Sequence, residues 1–368
     1  MFDISNANQY FGPISGKPLT HLDLRPTIGI MRARGKRLRT IGAVLAALAL
    51  LVGTIGSVQA KSTAKASSAA WWQPRPGEAK NWDWQIDEPY NVSQPRTMYD
   101  LDLWELADGG PNSYLEYPGH PELPRIQVEE GALAGKVDEL HRRGAKVICY
   151  LDSGAYEHDE NRADRHLFPG YKANLNDIPD NPSPPEPGSV IGWHTNDGQW
   201  PGERYLDIRR QSWPRFAHLI WARFALAKRL GCDGVEPDQN DMGPSSGNAP
   251  GWEMTDDDQI DWYLEVARQA HALGLSVGLK NGHDLSDRTR FPELVQAFDW
   301  ALPEECVSLD QCDNLSPFIA AGKAVFAVDY TVNQRTDRRA CQAHVSRDFD
   351  GIIKDEPPTS AFRKQCKP

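Results

Sequence analysis

Residues 232–238 read CDGVEPD, a short run that ends in a glutamate, a proline and an aspartate. Five other runs are apolar first and charged at the end: VICYLD at 147–152, SVGLK at 276–280, FDWALPEE at 298–305, AVFAVD at 324–329 and GIIKD at 351–355. Strands that are buried on both faces, as in parallel sheets covered by helices, read as near-continuous apolar runs. In a single run the charges could merely mark where a strand meets water. Six such runs predict parallel strands whose carboxyl ends form one ring of functional groups.

Two alternating segments precede these runs, at Trp82–Ile86 and Met98–Trp104, and they predict two more strands. Eight strands separated by helices match a single (β/α)8 TIM-type barrel of the α/β class, which we expect at 71–368. A doubly wound open sheet is the alternative, but no glycine-rich phosphate turn follows the first strand. The Pro-, Asp- and Gly-rich segment 174–200 predicts a loop or lid over the barrel mouth. The predicted helices cover 128–143, 213–230, 256–273, 291–297, 314–321 and 336–345.

The beginning of the chain predicts export. Residues 31–60 contain a basic head, an apolar middle and a small-residue ending, which is the pattern of a secretory signal peptide. We therefore expect a secreted or extracellular protein. The alternative is a membrane anchor at 41–58, although this stretch is short for a spanning helix, which needs about 20 apolar residues. Residues 1–30 are interpreted as an over-extended or disordered leader, and residues 61–70 as a flexible linker.

The charge of the remaining chain is strongly acidic. After residue 60 there are 33 Lys and Arg against 49 Asp and Glu, a formal charge near −16. This balance argues against nucleic acid as a partner, because phosphate binding requires a basic surface. It would steer a cationic substrate favourably, although acidic surfaces also simply keep exported proteins soluble.

Six cysteines in an exported chain predict disulfides. The expected local pairs are Cys306–Cys312 and Cys341–Cys366, while Cys149 and Cys232 are either buried thiols or a third bridge. No Cys/His spacing resembles a zinc site. Residues 238–243 resemble the first half of a calcium loop, but its twelfth position is alanine instead of glutamate. We therefore expect no metal and no cofactor.

Carboxylates at the ends of the predicted strands are the candidate catalytic groups. Strand alternation places Glu236 and Asp238 on the same side, and allows one of Glu304 and Glu305 to face the barrel axis. Two inward carboxylates are the arrangement that glycoside hydrolysis needs. One protonates the leaving oxygen, and the other attacks the anomeric carbon or activates water. A structural alternative is that Glu236 only forms an ion pair with Lys280.

Exposed aromatic residues favour a sugar substrate over a peptide. Eight tryptophans lie in segments predicted to be loops or strand entries, and most of these eight are expected in the core. Trp193, Trp200 and Trp252 lie among Gly, Asn and Asp, and we expect them to be exposed platforms. Indole faces stack on the apolar faces of pyranose rings, and cations also favour these faces.

Several stretches in order along residues 71–366 resemble glycoside hydrolase family 114, the endo-α-1,4-polygalactosaminidase family. They are WWQP at 71–74, WDWQI at 82–86, KVICY at 146–150, WPGERYLDIR at 200–209, GCDGVEPD at 231–238, GLSVGLKN at 274–281, FDWAL at 298–302, GKAVF at 322–326, DYT at 329–331 and KD at 354–355. The resemblance implies a (β/α)8 barrel that hydrolyses α-1,4-linked galactosamine polymers, some of them partly N-acetylated. A cationic amino-sugar polysaccharide would suit the acidic chain.

The resemblance also implies roles for single residues. Asp238 corresponds to the strand-end aspartate, the nucleophile or its equivalent, and Glu304 to the general acid/base. The residues expected to bind the substrate are Asp152, Glu236, Lys280, Asn281, Asp329 and Tyr330, with Trp200 and Trp252 as aromatic platforms. The chain departs from the family beside both carboxylates, with Glu305 where glutamine is usual and Gln239 where asparagine is usual.

The sequence therefore predicts a secreted, monomeric, metal-free glycosidase that cleaves inside an α-linked amino-sugar polymer. The alternative is a catalytically silent carbohydrate-binding barrel that has kept the aromatic mouth and lost activity.

Overall fold

The computed structural model describes residues 71–159 and 162–368. The predicted leader at 1–30, signal peptide at 31–60 and linker at 61–70 lie outside the described residues, as does the alternative membrane anchor at 41–58. Within the described part of the chain, none of the helices combines the length and the apolar character that crossing a bilayer requires.

Strands and helices alternate along most of the chain. The strands are β1 (Trp82–Gln85), β2 (Met98–Asp102), β3 (Tyr114–Leu115), β4 (Ile126–Gln127), β5 (Lys146–Asp152), β6 (Ala155–Glu157), β7 (Ile191–His194), β8 (Glu203–Leu206), β9 (Gly234–Asp238), β10 (Ser276–Lys280), β11 (Trp300–Leu302), β12 (Val328–Tyr330), β13 (Ile352–Lys354) and β14 (Arg363–Gln365). The α-helices are α1 (Lys136–Arg142), α2 (Trp213–Leu230), α3 (Asp256–Ala272), α4 (Phe291–Ala297), α5 (Ser316–Ala320) and α6 (Gln334–Ser346).

A curled parallel sheet of six strands forms the centre of the fold, in the order β1-β2-β5-β9-β10-β11. The register aligns the carboxyl ends of neighbouring strands, so that Asp152 of β5 lies beside Asp238 of β9. On the next strand, Lys280 pairs with Leu302 of β11. The carboxyl ends of these strands therefore meet at one edge of the sheet, as the charged ends of the apolar runs predicted.

The two remaining parallel strands, β12 and β13, form a separate sheet with antiparallel β14. Two isolated bridges lie between β11 and β12 and the residues next to them: Ala301 of β11 pairs with Val325, and Glu304 pairs with Val328 of β12. β1 is the edge strand of the six-stranded sheet and pairs with β2 alone among the described strands. The α/β class and a parallel half-barrel are thus observed, and a closed eight-stranded barrel stays a prediction.

Two hydrophobic layers explain why the sheet curls. The inner layer brings Trp82 and Trp84 of β1 into one cluster with Trp300 of β11 and Ile352 of β13. The larger outer layer lies between the sheet and the helices. Because strands at both ends of the order bury side chains in the same inner cluster, the concave face is packed with side chains, as in α/β barrels.

Local sequence signals set the helix boundaries. Helix α2 has a proline in its first turn and ends at Gly231, which has a φ of 93°. Thr255 caps α3 in a reciprocal pair of hydrogen bonds with Asp258. Helix α1 begins only at Lys136, eight residues after the predicted start, because Gly135 precedes it with a φ of 69°. A positive φ interrupts the helical backbone there.

The segment 174–200, which was predicted to be a loop or lid, is partly built into a small sheet in the order β6-β8-β7. Strands β7 and β8 are antiparallel, with Ile191 opposite Leu206. This sheet adjoins the carboxyl edge of the central sheet, because Ser153 and Gly154, just before β6, both donate backbone N–H groups to the Asp238 carbonyl at 3.1 Å. Through β7, the segment is therefore part of a sheet that adjoins the strand ends.

All six cysteines form disulfides. The bonds are Cys306–Cys312, Cys341–Cys366 and Cys149–Cys232. The first two are the predicted local pairs, and the third resolves the alternative between buried thiols and a bridge. Cys149 lies in β5 and Cys232 lies just before β9, so this bond ties two neighbouring strands of the central sheet.

Candidate active site

Three carboxylates surround one lysine at the carboxyl edge of the central sheet. The Lys280 Nζ atom lies 2.6 Å from Asp238 Oδ2, 3.0 Å from Glu236 Oε1 and 3.3 Å from Glu304 Oε2. Lys280 is 2% exposed, so its charge has no access to bulk water. Burial alone would lower the pKa of Lys280, but the charges of Asp238, Glu236 and Glu304 raise it well above its ordinary value. The lysine therefore stays protonated and holds the three carboxylates together.

Asp238 is held by donors from three directions. Besides Lys280, the Tyr150 hydroxyl lies 3.1 Å from Asp238 Oδ2, and the Gln239 backbone N–H donates to Oδ1 at 2.6 Å. Gln239 has a φ of 59°, a left-handed conformation that is uncommon for residues other than glycine. Such strained positions cluster at functional sites. The turn directly after β9 fixes the orientation of this carboxylate.

Glu304 is held in the same manner. Its carboxylate accepts hydrogen bonds from the Tyr330 hydroxyl and from Asn281 Nδ2, the latter at 3.1 Å. Asn281 Oδ1 in turn accepts from the Glu304 backbone N–H at 3.0 Å. Burial alone would raise the pKa of Glu304, but the charge of Lys280 and the bonds from Tyr330 and Asn281 hold it below its ordinary value. Glu304 is therefore ionised in the free protein at neutral pH.

Glu236 lies beneath the other two carboxylates and is completely buried. Trp84 Nε1 donates to Glu236 Oε2 at 2.9 Å. Burial raises the pKa of Glu236 to about 7, against the opposing charge of Lys280. Burial, together with the charge of Glu236, also raises the pKa of the neighbouring Asp100 well above its ordinary value. Glu236 contacts Lys280 from below, and neither Glu236 nor Asp100 is among the residues that line the cavity.

A cavity of about 670 Å³ opens above Asp238 and Glu304. Ten carboxyl groups line it, and the only lysine or arginine among its lining residues is Arg162. The lining carboxyl groups are Asp87, Asp102, Glu157, Glu203, Asp238, Asp241, Asp284, Glu304, Glu305 and Glu356. Arg162 itself pairs with Glu157 and, at 3.4 Å, with Asp102. Carboxyl groups therefore outnumber cationic side chains in the lining, although burial also raises the pKa of Asp241 well above its ordinary value. An excess of negative charge attracts cations.

The wall formed by β5 and β8 contains carboxyls that retain protons at neutral pH. Burial, then the charges of Glu157 and Asp238, raise the pKa of Glu203 to about 8. Burial and the charge of Glu203 raise the pKa of Asp152 well above its ordinary value. Thr195 Oγ1 donates to Glu203 Oε2 at 3.1 Å. This side of the cavity thus carries less charge than its composition indicates.

The raised pKa of Glu203 predicts a pH-dependent cost in stability. The folded state favours neutral Glu203, so this contribution is fully present below the ordinary glutamate pKa and is lost as pH rises towards about 8. Glu203→Gln removes this loss. We expect the difference in melting temperature, variant minus wild type, to be more positive at pH 8 than at pH 5. The exposed Glu116→Gln serves as control. An identical difference at both pH values would contradict the assigned pKa.

The structure brings most predicted site residues together. Asp238, Glu304, Asn281, Tyr330 and Trp200 line the cavity. Glu236 and Lys280 form the buried layer beneath, as the structural alternative of an ion pair proposed. Asp152 is 1% exposed and lies beside Asp238, where the Tyr150 hydroxyl contacts both at 3.1 Å.

Two predicted residues lie away from the cavity. Asp329 Oδ2 contacts His344 Nε2 of α6 at 2.8 Å, and Oδ1 accepts from Ser308. Trp252 packs against Gly192 of β7 and lies with its ring centre 5.8 Å from the Arg209 guanidinium. Neither belongs to the residues that line the cavity.

Tyr150 and Glu203 are among the cavity residues that sequence reasoning missed. Tyr150 is two positions before Asp152 in a strand, and strand alternation alone would have placed both on the same face. Glu203 begins a strand that was not predicted, and no periodic pattern identified it. Among the described residues, the one group with metal-ligating geometry is Cys306, Cys312 and His344, and its cysteines are bonded to each other.

The chain is similar to known proteins in sequence and in fold. A family model for glycoside-hydrolase family GH114 matches residues 61–367. Among solved structures, the chain is similar to Ega3 of Aspergillus fumigatus in complex with galactosamine, at 26% identity and a TM-score of 0.58, covering 80% of this chain and 97% of that one. It also matches the glycoside hydrolase domain of PelA from Pseudomonas aeruginosa, at 15% identity and a TM-score of 0.46, covering 78% and 98%. No curated protein sequence matches the chain.

Proposed function

The chain belongs to glycoside-hydrolase family GH114, and we propose that it is a secreted enzyme that cleaves internal α-1,4 bonds of a galactosamine-containing polysaccharide. The observation that carries the proposal is the position of Asp238 and Glu304, which share Lys280 on the floor of one acidic cavity. Three disulfides support an oxidising, extracellular setting.

The acidic cavity supports a cationic glycan as substrate. Galactosamine units carry a protonated amine near neutral pH, and ten carboxyl groups line the cavity against one guanidinium. The similarity to Ega3, whose structure contains galactosamine, points to the same class of sugar. Trp84, Trp200 and Tyr150 supply aromatic rings to the same cavity. An aromatic and acidic lining suits both the apolar ring face and the ammonium group of an amino sugar.

In the proposed mechanism, Asp238 attacks the anomeric carbon and Glu304 protonates the leaving oxygen. Glu304 then removes a proton from the water that hydrolyses the glycosyl-enzyme intermediate. The contacts of Glu304 in the free protein favour its ionised form, so its acid form must arise in the substrate complex. We propose that bound sugar displaces Tyr330 or Asn281 from the Glu304 carboxylate, which removes a hydrogen bond that favours the charge.

The positions of the two carboxylates support retention of configuration. Asp238 Oδ2 and Glu304 Oε2 lie 2.6 and 3.3 Å from the same Nζ atom, so these two oxygens are at most about 5.9 Å apart. Carboxyl groups of retaining glycosidases are about 5–5.5 Å apart, and those of inverting enzymes about 6.5–9.5 Å.

We therefore expect the first product released from an α-linked polymer to be the α-anomer. Proton NMR of the anomeric region during the first minutes of hydrolysis would detect it before mutarotation. Initial appearance of the β-anomer would show that water attacks directly and would remove the nucleophilic role from Asp238.

A substrate comparison tests the proposed function. The purified protein would be incubated with de-N-acetylated α-1,4-galactosamine polymer, the fully N-acetylated polymer and a neutral α-1,4-glucan. We expect new reducing ends from the first polymer, with a rapid fall in polymer length because internal bonds are cleaved. Equal cleavage of the neutral glucan would contradict the role of the acidic cavity, and products of one sugar unit from the start would contradict endo-action.

The second candidate is a catalytically silent carbohydrate-binding barrel. The observation in its favour is the lowered pKa of Glu304, because a carboxylate held by Lys280, Tyr330 and Asn281 is a poor proton donor in the free protein. Sedimentation of the protein with insoluble galactosamine polymer, without release of any sugar, would select this function.

A further inference from the structure

We infer that the substrate path continues from the catalytic cavity into a second pocket, where it binds another amino-sugar unit of the same chain. This inference rests on the proposed function. The second pocket has a volume of about 250 Å³. It is lined by Asp180, Asn181, Trp193, His194, Asn196, Tyr205, Gly247, Asn248 and Ala249. We call it the Trp193 pocket.

The Trp193 pocket adjoins the catalytic cavity. Asn196 and Asn248 line both of them, so these two side chains form the boundary between the spaces. Asn248 Nδ2 donates to the Asp241 carbonyl at 2.6 Å, which leaves its Oδ1 atom as an acceptor at the boundary. An extended polymer that occupies the catalytic cavity can therefore pass between two amide side chains that suit sugar hydroxyls.

Buried contacts hold the walls of the Trp193 pocket in place. Arg204 is 2% exposed, and its Nη1 atom donates to the carbonyls of Pro179 and Gly192 at 3.2 and 3.3 Å. These two residues directly precede Asp180 and Trp193. A buried guanidinium thus fixes the two chain segments that carry the acidic and the aromatic side chain. A pocket that is formed before binding costs less ordering free energy when the ligand enters.

Trp193 is oriented as an aromatic platform. Its indole Nε1 donates to the Ser183 carbonyl at 2.7 Å, while the side chain remains partly exposed and lines the pocket. The polar edge of the ring is therefore satisfied by the protein, and the ring is available for stacking. Pyranose rings stack on indole through their C–H faces, and protonated amines bind the same face.

Asp180 provides a negative charge beside this ring. Its side chain is 42% exposed, with Oδ1 accepting the Asn181 backbone N–H at 2.8 Å and Oδ2 lying 3.2 Å from His194 Nε2. The Arg204 guanidinium lies farther away, at 3.8 Å. The carboxylate is thus oriented but still accessible, and it can accept hydrogen bonds from the ammonium group of a galactosamine unit. The pocket combines both features that the substrate class requires.

Loss of a subsite that is remote from the cleaved bond should weaken the binding of long chains more than it slows the chemical step. Binding energy that is equal in the ground state and the transition state lowers KM without raising kcat. Occupation of the Trp193 pocket should therefore matter for the polymer. It should not matter for the shortest oligosaccharide that the enzyme cleaves, because such a ligand fills only the catalytic cavity.

The test compares wild type with Trp193→Ala and Trp193→Phe. For Trp193→Ala we expect KM for de-N-acetylated polymer to rise about 3- to 30-fold, with kcat and the KM of the shortest cleaved oligosaccharide unchanged. Trp193→Phe keeps an aromatic face and should restore most of the affinity. Equal melting temperatures would show that the fold is intact. An unchanged polymer KM in Trp193→Ala would overturn the inference while the proposed function stands.

Calorimetric binding separates the two proposals if wild type cleaves nothing. De-N-acetylated galactosamine oligosaccharides of increasing length would be titrated into wild type and Trp193→Ala. Tighter binding of the longer oligosaccharides to wild type, lost in the variant, supports the subsite even without hydrolysis. Equal affinities of the two proteins at every length overturn it.

Discussion

Glu304→Gln is expected to lower kcat for polymer hydrolysis by about 10²- to 10⁴-fold, which is the usual contribution of a positioned general acid/base. Glutamine has nearly the same size, but it offers only one acceptor oxygen to Tyr330 and Asn281, and it can neither donate nor receive the proton in the reaction. Circular dichroism should therefore remain that of wild type. Initial rates of reducing-end formation at saturating polymer measure the effect.

Glu305→Gln is the matched control for Glu304→Gln. Glu305 is the next residue, lines the same cavity and is changed in the same way, but its carboxylate does not contact Lys280 among the ion pairs described. We expect this variant to retain most of its kcat. If Glu305→Gln instead shows the large loss of kcat and Glu304→Gln retains its activity, then Glu305 and not Glu304 is the general acid/base.

Lys280→Met is expected to have the largest effect on stability. The lysine contacts Glu236, Asp238 and Glu304 and is the cation they share, and the first of these is completely buried. Removing one partner of a buried ion pair costs about 3–5 kcal/mol, because the remaining charges are left without compensation. Chemical denaturation of wild type and variant measures the difference in the free energy of unfolding.

Two further variants make the Lys280 result specific. Without Lys280 the pKa of buried Glu236, which is about 7 in its presence, rises further, so folding requires this carboxyl to take up a proton. Glu236→Gln in the Lys280→Met background removes this cost, so it should recover part of the lost stability. Lys136→Met breaks the exposed pair with Glu139 at 2.8 Å, and we expect little change in the free energy of unfolding there, because water screens exposed ion pairs. Should Lys280→Met cost no more than Lys136→Met, the buried lysine does not hold the carboxylates as described.

The sequence positions of the central strands could be predicted because these strands carry apolar residues on both faces. The runs at 147–152, 232–238, 276–280 and 351–355 correspond to β5, β9, β10 and β13. In the run at 298–305, only the three residues of β11 form a strand, and Pro303 follows them. In the run at 324–329, Val325 forms an isolated bridge with Ala301, and the regular strand β12 begins only at Val328. Hydrophobic pattern predicts burial, but the regularity of hydrogen bonding depends on neighbouring strands that the pattern does not identify.

The candidate site could be predicted in part because strand alternation relates neighbouring residues. Asp329 and Tyr330 are adjacent in β12 and must face opposite sides. Tyr330 reaches Glu304, and Asp329 therefore faces helix α6, where it contacts His344. Both residues had been expected at the sugar, and the strand period alone was sufficient to exclude one of them.

The contacts between separate strands, and the parts of the site outside the central strands, could not be predicted. Lys280 had two interpretations, a sugar contact or an ion pair with Glu236, because sequence gives no distance between separate strands. Glu203 and Asp180 belong to segments without periodicity, and their positions depend on the small β6-β8-β7 sheet and on the buried Arg204. Such contacts join residues that are distant in sequence and leave no local pattern.

The most direct test of the central claim is the release of new reducing ends from de-N-acetylated α-1,4-galactosamine polymer by the purified protein and by Glu304→Gln. We expect wild type to release reducing ends and the variant to release none. Undiminished release by the variant would contradict the assignment of Glu304. Absence of release by wild type, with binding retained, would contradict the enzymatic function and leave the carbohydrate-binding barrel.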